Sequence, residues 1–204
     1  MKLLIILISI LSSITCAAQY PEEKNPIKIE RDWQLELLNK SNKNIRDYYL
    51  LLPDYLFSCE LDYNNDKANR LKSITYSNNQ NGYLKAKPES PLIVVIFKDR
   101  TWDRDIIAIT RCGPTCQCFE VAFFSISLKL KSWISVPDVL PTITDFQKLQ
   151  TKLENKFNRK IFPYFDLPEN GTTIKVLDEG TKRKEFLYLL KWESGQFTID
   201  ENSN

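Results

Sequence analysis

The sequence predicts an α+β fold: N-terminal helices, an antiparallel β-meander, a further helix and a C-terminal antiparallel β-strand group. Three observations predict it. Apolar residues recur at helical spacing before residue 75 and again between 138 and 157. Between these regions lie β-branched and aromatic runs of strand length, separated by turn residues. The links between the runs are short, whereas parallel strands need crossovers of about a dozen residues or more.

The elements follow in order. "PIKIERDWQLELLNK" places Ile29, Trp33, Leu37 and Leu38 near helical spacing and reads as an amphipathic helix. "DYYLLLPDYLFSCEL" is apolar and broken by Pro53, and Pro followed by Asp54 suits a short helix start. "NNDKANRLKSITYS" opens on the cap residues Asn65 and Asp66 and predicts a third helix with Ala68, Leu71 and Ile74 on one side. "GYLKAK", "PLIVVIFKD", "DIIAITRC", "FEVAFFSIS" and "LKLKSWISV" are then successive strands of a meander. "DVLPTITDFQKLQTKLENKF" returns to helix, with Thr144 as cap and Phe146, Leu149, Leu153 and Phe157 as an apolar stripe. "TTIKVLD", "KEFLYLLKWE" and "QFTID" close the chain, the last two joined through the turn "ESGQ". "IFPYFDLP" gathers aromatics around two prolines; capping of the core is the favoured reading and a groove for peptide or glycan the alternative.

Composition narrows the function. Lys plus Arg number 28 and Asp plus Glu 26, so the charges nearly cancel and give no case for nucleic acid. Histidine is absent, which excludes Ser-His-Asp and Cys-His catalysis and His-based zinc sites. The five glycines form neither a dinucleotide nor a phosphate-binding loop. No two carboxylates can be set opposite each other from spacing alone, so a glycosidase-type pair has no positive signal. No catalytic residue and no cofactor is expected.

"MKLLIILISILSSITCAAQY" has one Lys, an apolar run from Leu3 to Ile14 and small residues after it, the layout of a secretory signal peptide. The run is about 12 residues, short of the roughly 20 that span a bilayer. Cleavage after Ala18 is expected, giving a signal peptide over 1–18 and one α+β domain over 19–204, with candidate sub-units 27–140 and 141–204. The alternative is lipidation of Cys16, although Ser13, Ile14 and Thr15 match a lipobox poorly. The expected location is periplasmic or secreted, or outer-membrane-anchored if Cys16 carries lipid. The mature chain has no expected transmembrane segment.

"RCGPTCQC" puts Cys112, Cys116 and Cys118 within seven residues. A thioredoxin-type centre needs Cys-x-x-Cys at the start of a helix, whose dipole lowers the thiol pKa. Here the spacing is one residue too long and strands flank the cluster. Cys59 would complete a four-sulfur set for a soft metal, but the spacing is not a common zinc pattern. Without Cys16, four cysteines remain in an oxidising compartment, and structural disulfides are the favoured reading. Cys112–Cys116 with Cys59–Cys118 and Cys112–Cys118 with Cys59–Cys116 both stay open. A bond closing the loop from Cys59 contributes roughly 3–4 kcal/mol on the chain-entropy account.

"KDRTWDRD" joins two strands. Asp99, Asp103 and Asp105 suggest a degenerate calcium loop, but Arg100 and Arg104 would repel the ion. Trp102, Arg100 and Arg104 are candidate interaction residues, because exposed Trp and Arg are typical binding anchors. Trp102 folded back on the sheet is the favoured reading over Trp102 in an interface.

The segments "LLPDYLF", "NGYLKAK", "CGPTC" and "LPENGTTIKVLDEG…FLYLLKWESGQFTI" together resemble a loose group of uncharacterised exported bacterial proteins, often from Bacteroidota. The resemblance implies an envelope or secreted location and a paired Cys112–Cys116. It carries no known activity, and Cys59 and Cys118 depart from its two-cysteine pattern. The expected function is therefore an exported, non-enzymatic binding module for a protein, peptide or envelope component. A thiol-based redox or soft-metal protein using Cys112, Cys116 and Cys118 is the alternative.

Overall fold

The computed structural model describes residues 26–54, 66–86, 92–111, 120–181 and 184–201. The fold is α+β, built on two antiparallel sheets. The first has seven strands in the order β1-β7-β6-β5-β4-β3-β2. These are β1 (Ile27–Lys28), β2 (Ile74–Asn78), β3 (Tyr83–Ala86), β4 (Leu92–Asp99), β5 (Arg104–Arg111), β6 (Glu120–Ser127) and β7 (Ser132–Ser135). From β2 to β7 each strand pairs with the next, which is the meander that the short links imply. The second sheet has four strands in the order β11-β10-β9-β8. They are β8 (Pro163–Asp166), β9 (Thr173–Asp178), β10 (Glu185–Glu193) and β11 (Gln196–Asp200).

The central strands of the first sheet are covered on both faces, which is why their sequences run apolar without alternation. On one face Leu84, Val94, Ile107, Ile109 and Trp133 pack against Leu38, Ile45, Tyr49 and Leu52 of the helical front. On the other, Val95, Phe97, Ile106, Ala108 and Phe123 meet Ile174, Val176, Tyr188, Leu190 and Phe197 of the second sheet. The first sheet lies within 27–140 and the second within 141–204, and the two segments share this second cluster of buried side chains.

The helices are α1 (Asp32–Leu38), α2 (Ile45–Leu51), α3 (Lys67–Ser73) and α4 (Ile143–Phe157). Several expectations are corrected. Ile29 is not helical: its N–H bonds to Lys131 O at 2.9 Å, prolonging the β1 edge, and α1 buries Gln34 and Leu38. A helix also precedes Pro53, because Asn44 and Asp47 form a reciprocal capping box that starts it at Ile45; the segment after Asp54, where the short helix was expected, lies outside the described residues. In α3 the buried residue is Arg70, while Ala68 and Leu71 are exposed and Ile74 begins β2. The cap of α4 is Thr142, not Thr144. The Asp145 carboxylate returns the bond, and starting there adds Phe146 N–H to Thr142 O at 3.1 Å. Leu149 and Leu153 are its buried residues, as the stripe implies, with Phe146 and Phe157 partly buried beside them. "IFPYFDLP" supplies the buried Ile161 and Leu167, but between them it forms the outer strand β8. Among the described residues no helix is long and apolar enough to cross a membrane.

Candidate functional site

The β4–β5 link, Arg100 to Asp103, is a four-residue turn built around Asp99. Asp99 is the last residue of β4 and is buried, with 1% exposure. Its Oδ1 accepts the backbone N–H of Thr101 at 3.0 Å and of Trp102 at 3.3 Å. Its Oδ2 accepts Arg104 Nε–H at 3.0 Å. One carboxylate thus fixes both limbs of the turn, a local Asx arrangement that favours Asp at a turn start. Asp103 takes a positive φ of 47° to complete it.

The turn is also docked on the second sheet. The β10–β11 hairpin turns at Ser194 and Gly195, with φ of 51° and 88°, the primed geometry that suits the strand twist. Gly195 lies so close to Asp99 that a Cβ there would sit 2.8 Å from its Oδ1. Thr101 Oγ1 donates to Ser194 O at 3.4 Å, and Trp192 Nε1 donates to Lys98 O at 3.1 Å. Trp192 in turn stacks at a tilt on Phe97 and Phe197, at 5.5 and 4.8 Å between centroids. The turn is therefore held by polar bonds above and by the core below.

On this base Trp102 stands 73% exposed. That corrects the expectation that its ring folds back on the sheet: Asp99 holds the Trp102 amide inward, and the side chain is left on the solvent side of the turn. Arg104 is consumed by Asp99, whereas Arg100 makes no salt bridge among the described residues. Of the three candidate interaction residues, Trp102 and Arg100 are presented to solvent and Arg104 belongs to the support.

Two clefts flank the turn. One of about 650 Å3 is bordered by Asn81, Arg100, Thr101, Thr172, Trp192 and Gly195. It lies where the β2–β3, β4–β5, β8–β9 and β10–β11 links converge. The other, of about 450 Å3, holds Lys43, Tyr48, Lys98 and Asp105. There Asp105 accepts Tyr48 Oη–H and Lys98 Nζ–H, each at 2.5 Å. Burial, then the hydrogen bond to Asp105, pushes the Tyr48 phenol well above its ordinary range. Burial lowers the Lys43 ammonium against the pull of Asp47 and Asp105. Each oxygen of the Asp105 carboxylate thus already has a donor, which leaves it poorly placed as a general base.

The calcium arrangement is not formed. Asp99 is turned to Arg104 and backbone amides and Asp105 to Tyr48 and Lys98. Among the described residues no group of three or more Cys, Asp or Glu is placed to hold a metal. Cys16, Cys59, Cys112, Cys116 and Cys118 lie outside the described residues, as do the disulfide pairings and the leader. The two strands that bracket Cys112–Cys118 are in register, Arg111 opposite Glu120.

Sequence reasoning missed Trp192, Asn81 and Thr172. "ESGQ" marks the hairpin that brings Gly195 to a tip, but no local signal says that this tip meets Asp99 of the other sheet. No family model, no curated protein and no solved structure matches the chain.

Proposed function

We propose that the protein is an exported, non-enzymatic binding module that contacts its partner through the β4–β5 tip, with Trp102 as the anchor and Arg100 beside it. The observation that carries this reading is a tryptophan 73% exposed on a turn tied down by a buried carboxylate. A large aromatic in water is normally a loss of apolar burial, and such residues dominate binding energy where they are covered. A turn already held in its bound shape avoids part of the ordering cost of association. Arg100 adds a guanidinium that no carboxylate neutralises among the described residues, so the partner surface is apolar and acidic. The N-terminal leader supports export, and the lack of histidine together with the engaged Asp99 and Asp105 supports a binding role over catalysis. The partner is then a protein, peptide or glycan-bearing component of the envelope or its surroundings.

The test is retention from a detergent extract of the producing cell's envelope on immobilised protein. A partner retained by wild type, lost with Trp102→Ala and with Arg100→Glu, and kept with Phe162→Ala supports the reading. Phe162 is 56% exposed on a remote loop and controls for exposed aromatics in general. Equal retention by wild type and Trp102→Ala would contradict it.

A further inference from the structure

β11 is an outer strand and pairs with β10 on one side only. Outer strands offer unpaired backbone N–H and C=O groups, and folded proteins blunt them. The other three outer strands each carry such a device. β1 is two residues long, β2 has a register shift between Ile74 and Tyr76, and β8 opens on Pro163. β11, with the sequence QFTID, keeps regular register over five residues and contains no proline, bulge or basic side chain.

The register says which groups are open. The two-residue turn sets Glu193 opposite Gln196 as the first hydrogen-bonded pair. Alternation then directs the peptide groups of Gln196, Thr198 and Asp200 to β10, and those of Phe197 and Ile199 to the free edge. A groove of about 1040 Å3 runs beside this edge. Gln196, Phe197, Thr198 and Ile199 all line it. Consecutive strand residues point to opposite faces, so a groove that touches all four follows the backbone itself. Its other walls are the 3-10 turn Pro137–Val139, which also lies against β11, and the first half of α4, including Ile143, which is 76% exposed, and Lys148 and Leu149.

We infer that this groove takes an extended peptide, which adds to the second sheet as a strand antiparallel to β11. The occupant follows from the groups on offer. Phe197 and Ile199 repeat their donor and acceptor at a spacing of about 6.8 Å, which another extended chain matches and a compact small molecule does not. Charge selects further. Lys152 on the wall is held by Glu201 at 2.6 Å, and Asp145 is engaged by Thr142. Lys148 is exposed and makes no salt bridge among the described residues, so an acidic side chain on the peptide is complementary to it. Asp138 at the mouth, by the start of the helix, is exposed as well, as are Asp145, whose carboxylate senses the charge of Lys148, and the paired Lys152 and Glu201. A second copy of this chain is a poorer occupant. Two-fold pairing of β11 with β11 would bring two α4 walls to one seam.

The probe is a fluorescein-labelled peptide, Thr-Val-Glu-Val-Thr-Val, compared with the same peptide carrying Lys in place of Glu. Saturable binding of the Glu peptide below about 1 mM is expected, with slowed amide exchange at Phe197 and Ile199. Ile199→Pro removes an outward N–H without taking a bond from β10 and weakens binding by about fivefold or more. Lys148→Glu, on the exposed side of α4, reverses the preference between the two peptides and guards against a folding defect in the proline variant. Three results would overturn the inference: no saturable binding, binding that leaves both amides unprotected, or a wild-type dimer in sedimentation that Ile199→Pro abolishes.

Discussion

Asp99 ties the tip together from a buried position, and its neighbours show how little freedom that leaves. Gly195 must be glycine for two reasons at once: its φ is 88°, and any Cβ would press on the Asp99 carboxylate. Gly195→Ala is expected to cost about 1–3 kcal/mol in urea unfolding, combining backbone strain with displacement of the carboxylate. Asp99→Ala strips one partner from the ion pair with Arg104 and two turn amides of their acceptor, and is expected to cost about 2–4 kcal/mol. Trp102→Ala behaves in the opposite way. The ring touches little, so stability should stay within about 0.5 kcal/mol while binding is lost. Part of this was legible in the sequence. "KDRTWDRD" marks a turn with an Asp at its start and a Trp within it. The direction of the Trp side chain was not, because it is set by which backbone amides Asp99 takes.

The helical front is organised around one helix end. α2 stops before Pro53, leaving carbonyls with no intrahelical partner. Three side chains distant in sequence take them over. Gln34 Nε2 donates to Leu50 O at 3.0 Å, Trp133 Nε1 to Leu51 O at 2.7 Å, and Arg70 Nη1 to Leu50 O and Leu52 O at 2.7 and 2.6 Å. Arg70 is wholly buried, lies over Trp33 with 5.5 Å to the ring centroid, and reaches Asp54 at 2.6 Å. Arg70→Met keeps the volume but takes the Arg70 donor from Leu52 O and leaves Leu50 O to Gln34 alone, and is expected to cost about 2–4 kcal/mol by urea unfolding. Periodicity misread α3 for this reason. It looks for apolar residues on the buried side, and here the buried residue is an arginine matched to a helix end that only the fold brings near. A second polar anchor ties the exit of α4 to β9. Asp178 is buried and accepts from Arg159 and from the N–H of Phe162 and Gly180, at 3.1 and 2.9 Å. Burial alone would raise its pKa, but Arg159 and the two amides outweigh it and hold the carboxyl below the usual range. Its folded pKa lies below the unfolded value of about 3.9, so its contribution is complete above that pH and fades as pH falls through the folded value. Asp178→Asn should therefore lower the urea midpoint at pH 6 and narrow its gap to wild type at low pH.

At the scale of the molecule, one seven-stranded sheet stands between a helical layer and a second sheet. The meander was legible because β-branched runs such as "PLIVVIFKD" and "DIIAITRC" are long, and their links are too short for parallel crossovers. The two-sheet arrangement was not. A strand covered on both faces loses the alternation that would say which side meets which layer, so "LIVVI" reads the same against helices or against a sheet. The convergence of four loop ends beside Trp102 follows from that packing and has no signature in any single segment. The proposed contact surface is the end of the molecule that carries Trp102, where the turn is tied down by Asp99. The most direct measurement is site-specific photo-cross-linking in the producing cells, with a benzophenone amino acid placed at Trp102 or, as control, at Phe162. A discrete adduct at Trp102 that disappears with Arg100→Glu, and is missing at Phe162, is the predicted result. No adduct at Trp102 beyond that at Phe162 would contradict it.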